Sequence, residues 1–183
     1  MSTRETIQLG IVVERRKIDH PWQEYAWRPV AVIPGAGPMD PGEGMRLLQE
    51  GDDWSHFHIG TLLLKLYPDE TDGYRTNLSR NVPCVYIVLS PGEEEDDPEV
   101  LPFLVTVCPD EAADYLEDSD QIVEGVAMPG EIAAWVQEFV DKYHVEVPFK
   151  KRKRKPYDPR KGAFQREEER GSMPRSGRGR SDD

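Results

Sequence analysis

Apolar and polar residues alternate from 6 to 16, TIQLGIVVERR, which puts Ile7, Leu9, Ile11 and Val13 on one side. A period of two is the pattern of a half-buried strand. Residues 25–33, YAWRPVAVI, predict a second strand, and Pro29, which has no N–H to give a ladder, places it at an edge or a bulge. Short apolar runs follow at 45–49 and 55–67. The longer one, SHFHIGTLLLKLY, aligns Leu62, Leu64 and Leu66, with Gly60 marking a bulge. Residues 83–89 and 101–108 are rich in β-branched and aromatic side chains and predict two more strands.

Helical spacing appears later in the chain. Between 130 and 144, Ile132, Trp135, Val136, Phe139, Val140 and Tyr143 recur at the spacing of one apolar helix face. A shorter helix over 109–117 has Pro109 in its first turn, with Asp110 and Glu111 near the positive end of its dipole. Residues 69–80 predict a third, with Tyr74 and Leu78 on one face and Gly73 weakening it. Strands precede helices without regular alternation, so the fold class is α+β: a mainly antiparallel, barrel-like sheet of about six strands with two or three helices.

Charge divides the chain at Pro148. Residues 148–183 carry 13 Lys or Arg and 6 Asp or Glu, whereas residues 1–147 carry 10 and 29, so a body at −19 meets a tail at +7. Residues 150–183 contain no Val, Ile or Leu and have too little apolar surface to offset ordering entropy. The expectation is one acidic α+β domain over 1–147 and a basic tail over 148–183, disordered when free. The start of the chain lacks the apolar block of a signal peptide, and no stretch has the roughly 18 apolar residues that span a bilayer. Cys84 and Cys108 each sit in a strand-like apolar run, which favours buried reduced thiols, a cytoplasmic location and no membrane association.

Candidate chemistry is sparse. His56 and His58, two apart on a strand, share a face and could both reach one ion, but two ligands do not make a tetrahedral site. They remain the weak metal candidates beside the expectation of no metal and no cofactor. The loop GAGPMDPGEG at 35–44 follows a strand but matches neither glycine-rich phosphate motif and carries no lysine. The acids at 93–97 and 110–120 read as solvated faces, and no nucleophile lies in a known motif, so no catalytic residue is assigned. Trp22, Tyr25, Trp27 and Arg28 gather beside the edge-like strand, and these residue types commonly anchor protein interfaces. In the tail, Lys150, Lys151, Arg152, Lys153, Arg154 and Lys155 form an unbroken basic run that can grip a phosphate backbone or an acidic protein surface.

The segments IVVERR (11–16), WRPVAVIPG (27–35), ETDGYRTNL (70–78), VYIVL (85–89) and FVDKYHVEVPFKKRKR (139–154) together resemble an uncharacterised bacterial family, a domain of unknown function. The resemblance spans roughly residues 6–165 and implies a genomic association with molybdenum-dependent formate dehydrogenase. Some members carry the label molybdopterin-guanine dinucleotide biosynthesis protein A. That label implies a nucleotidyltransferase with a glycine-rich loop after its first strand, whereas here the first strand runs directly into ERRKIDHPW.

The expected function is a non-enzymatic accessory or assembly factor whose partner is a protein, a formate dehydrogenase subunit by the resemblance. It would be bound through Trp22, Tyr25, Trp27, Arg28 and the basic run 150–155. A second reading is an enzyme or carrier for the molybdenum cofactor, with Arg15, Arg16, Lys17 and Arg28 as anion ligands. A third is nucleic-acid binding through the tail.

Overall fold

A computed structural model describes residues 5–146. The alternating N-terminal segment forms β1 (Glu5–His20), whose inward positions Leu9, Ile11 and Val13 are fully buried. It pairs antiparallel on one side with β2 (Gln23–Pro34) and on the other with β4 (Trp54–Leu66). β3 (Arg46–Glu50) pairs with the far side of β4, giving the order β2-β1-β4-β3. Pro29 occupies an edge strand and also a bulge: Val12 faces Ala31 and Val13 faces Pro29, so Val30 is the extra residue. On β4 the extra residue is Ile59, next to Gly60. Two bulges at the level of Val12 accentuate the twist of the sheet.

A second antiparallel sheet, order β6-β5-β7, consists of β5 (Cys84–Pro91), β6 (Val100–Thr106) and β7 (Ile122–Ala127). It corrects the expectation of one barrel-like sheet of about six strands. β6 passes close to β4 and β7 close to β2, but no ladder joins them, so the described residues form two sheets of four and three strands and no closed barrel. Inward residues of both sheets meet in one core. Leu9, Ile11 and Leu64 from the first pack with Val85, Ile87, Leu89 and Val126 from the second. Each such side chain contributes roughly 1.5–3 kcal/mol on burial.

Three helices gather where β4, β6 and β7 end: α1 (Thr71–Leu78), α2 (Pro109–Asp114) and α3 (Gly130–Tyr143). α3 buries Ile132, Val136, Phe139 and Val140, the stripe that its spacing predicts. In α1, Tyr74 is fully buried; its hydroxyl donates to Glu70 at 2.7 Å and accepts the Tyr67 N–H at 3.0 Å. Asn77, 1% exposed, donates to the carbonyls of Cys84 and Val107 and accepts the Cys84 N–H, tying α1 to the start of β5 and the end of β6. Gly73, which weakens a helix by propensity, is needed there: a Cβ would stand 2.8 Å from the Cys108 sulfur.

The 35–44 loop does structural work. It carries the chain from β2 across β1 and β4 to β3. Gly35 N–H donates to Gln8 O, and Thr61 bonds Met39 O through its N–H and Gly37 O through its hydroxyl. Gly10 permits the crossing, since a Cβ would meet that of Ala36 at 2.8 Å. Among the described residues no helix is long and apolar enough to cross a membrane.

Candidate interaction surface

Successive residues of a strand point to opposite faces, and this divides the candidate basic residues. On the outer face of the four-stranded sheet, Arg28 of β2, Glu14 of β1 and His56 of β4 stand in one cross-strand row. Arg16 and Trp54 form the next row. Glu14 is only 5% exposed. Its Oε1 accepts the Nε–H of Arg16 at 3.0 Å and of Arg28 at 3.1 Å, and its Oε2 lies 3.2 Å from His56 Nε2. The Arg16 hydrogen bond, helped by those of His56 and Arg28, outweighs burial and holds the Glu14 carboxyl at about 2, below its ordinary 4.5. Both arginines stay half exposed, and the Trp54 ring packs 4.6 Å from that of His56.

Arg15 belongs to the inner face. Its guanidinium lies 4.6 Å from the Tyr25 ring, 5.0 Å from Phe57 and 5.8 Å from Trp27, a cation held by aromatic rings. The Trp27 indole N–H donates to Glu99 in the segment before β6. Arg15, Lys17 and Tyr25 share a recess of about 310 Å³ with Asp52, Asp53 and Trp54. The four basic residues expected to form one anion site are therefore separated: Arg16 and Arg28 converge on Glu14, whereas Arg15 and Lys17 line an opening that also carries carboxylates.

Beyond these contacts the β1–β2 hairpin turns at Pro21 and Trp22, between His20 and Gln23. Trp22 is 90% exposed. Trp22, Tyr25, Trp27 and Arg28 thus lie on one hairpin, with Trp22 at its tip and the other three nearer its root. The basic run Lys150–Lys155 lies outside the described residues.

His56 and His58 do share the outer face, but each has a partner. His58, 8% exposed, has its Nε2 3.1 Å from the Gly60 carbonyl, and His56 is bound by Glu14. Among the described residues no group of three or more His, Cys, Asp or Glu is placed to hold a metal. Cys84 and Cys108 are free, and burial pushes the Cys108 thiol pKa up. Sequence reasoning missed Glu14. Its only signal was a lone acid, in IVVERR, at the end of an apolar strand run.

The fold and this surface define a small two-sheet α+β domain with an exposed aromatic hairpin and a carboxylate-centred arginine pair. The chain belongs to the family described as a protein of unknown function, DUF3305, whose model matches residues 8–153. The matched span includes Glu14, Arg16, Trp22, Arg28 and His56, together with the first four residues of the basic run. No curated protein and no solved structure matches the chain.

Proposed function

We propose that this protein is a non-enzymatic accessory or assembly factor that acts by binding another protein, and that the β1–β2 hairpin is its contact element. The observation that carries the reading is Trp22, 90% exposed at the tip. Tryptophan offers among the largest apolar areas of any side chain, and Trp, Tyr and Arg dominate the energetics of protein interfaces. The hairpin is also braced. Arg15 is held among three rings and Glu14 ties β1 to β2 and β4, so little entropy is lost when a partner docks.

The partner we propose is a subunit of a molybdenum-dependent formate dehydrogenase, met in the cytoplasm. The family resemblance supports that choice, and the basic run 150–155 would supply a second contact. The test places a photo-crosslinking phenylalanine analogue at the exposed Gln23, beside an intact Trp22, in the full chain expressed in cells that make the dehydrogenase. The expected result is one dominant adduct, identified by mass spectrometry as a dehydrogenase subunit. A dominant adduct with a different protein would overturn the partner and keep the binding function; absence of any specific adduct would overturn both.

A further inference from the structure

On the outer face of the four-stranded sheet, the residues paired with β1 from Gly10 to Arg16 include Ala26, Arg28 and Ala31 of β2, and Trp54, His56 and His58 of β4. Among these paired residues Glu14 is the only carboxylate, and the Asp53 carboxylate is near enough to act on Arg16 as well. A guanidinium has five N–H donors. Arg16 and Arg28 each spend one, Nε–H, on the same Glu14 oxygen, and among the described residues no hydrogen bond engages their terminal Nη groups. Two forks are thus held side by side, 49% and 55% exposed, with their ends unoccupied.

Stability alone is a weak explanation for this arrangement. Removing one partner of a buried ion pair is costly, but replacing the whole pair by apolar residues of similar volume is often neutral, and Val12 fills the same face two positions earlier. What the carboxylate does achieve is orientation. A free arginine side chain loses rotamer entropy when it grips a ligand, whereas these two are already fixed. Glu14 and the more distant Asp53 offset the two guanidinium charges, so binding would come from the unused donors, whose fork matches two oxygens of a phosphate. The Trp54 ring, tilted against that of His56 and paired with Arg16 across the strands, offers an indole to any planar group attached to the phosphate.

We infer that Arg16 and Arg28 form a binding site for a tetrahedral phosphate group, with Glu14 as the residue that positions them. Arg15 and Lys17 take no part, since they face the other side of the sheet. The site is independent of the Trp22 contact and stands or falls separately from it.

The test is a nitrogen-15 NMR titration of the full chain that follows the side-chain Nε–Hε signals of Arg16 and Arg28. The probes are inorganic phosphate and adenosine monophosphate, against sodium chloride at matched ionic strength. Both phosphates are expected to move the two signals saturably, and chloride is not. If the Trp54 indole N–H moves as well and the nucleotide binds more tightly, the source is a phosphate on a planar group; equal affinities with a static indole identify a bare phosphate. Arg28→Lys keeps the charge but removes the fork, and should weaken binding at least tenfold while the backbone spectrum stays folded. Arginine signals that respond no more to phosphate than to chloride would overturn the site. So would an Arg28→Lys chain that binds as tightly as the original, because charge alone would then suffice.

Discussion

The two ends of β1 each hold a glutamate among cationic and aromatic side chains, and they use it differently. At the helix end, Glu5 accepts the Trp135 indole N–H at 3.0 Å and lies 3.8 Å from Lys142, which draws α3 onto the strand. Around it Tyr74 and Asn77 are buried, and the polar atoms of their side chains are taken up by hydrogen bonds inside the domain. At the hairpin end, Glu14 is the more deeply buried of the two acids, its two arginine partners are half exposed, and among the described residues no hydrogen bond engages their Nη groups. The helix end engages the Trp135, Tyr74 and Asn77 polar groups in hydrogen bonds within the domain. The hairpin end uses one buried acid to hold two half-exposed arginines, which suits the binding role proposed for it.

Substitutions at the two ends should separate stability from binding. The largest effect on folding is expected from Asn77→Ala, which strands the Cys84 N–H and two carbonyls in the interior. A loss of about 3–4 kcal/mol follows from the cost of unmet buried groups, read as a lower denaturant midpoint. Glu14→Gln comes next. Because folding lowers the Glu14 pKa from 4.5 to about 2, its contribution is present above pH 4.5 and is lost as pH falls towards 2. The half-exposed arginines are screened by water, so that contribution is on the order of 2 kcal/mol. The variant should therefore be less stable than the original at pH 7 and nearly equal to it at pH 2, as urea titrations at the two pH values would show. The smallest effect on folding belongs to Trp22→Ala, within about 0.5 kcal/mol because the side chain packs on little. If Trp22→Ala instead destabilised the fold by as much as Asn77→Ala, the contrast between the ends would collapse.

Much of the helix end was legible in the sequence. The 3.6-residue stripe of α3 and the period of two in β1 are strong local signals, and Pro109 marks the start of α2. β7 was not legible, because Glu124 and Gly125 interrupt its apolar run and only pairing with β5 makes it a strand. Nor was the division into two sheets, since which strands form ladders is decided between distant residues. At the hairpin end the residue types were informative, and Trp22, Arg16 and Arg28 stood out. The grouping of Arg16 and Arg28 with Arg15 and Lys17 followed nearness along the chain, which the alternation of a strand contradicts. The role of Glu14 needed the cross-strand register, as Arg28 is 14 residues away and His56 is 42. The bulges at Val30 and Ile59 shift that register in ways that the sequence alone does not count.

Whether the hairpin tip binds a protein partner is measured most directly by calorimetric titration of purified formate dehydrogenase into the full chain and into Trp22→Ala. Saturable binding by the full chain that weakens about 30-fold in the variant is predicted, since an anchoring tryptophan is typically worth about 2 kcal/mol or more. Equal affinity of the two chains for the dehydrogenase would contradict it.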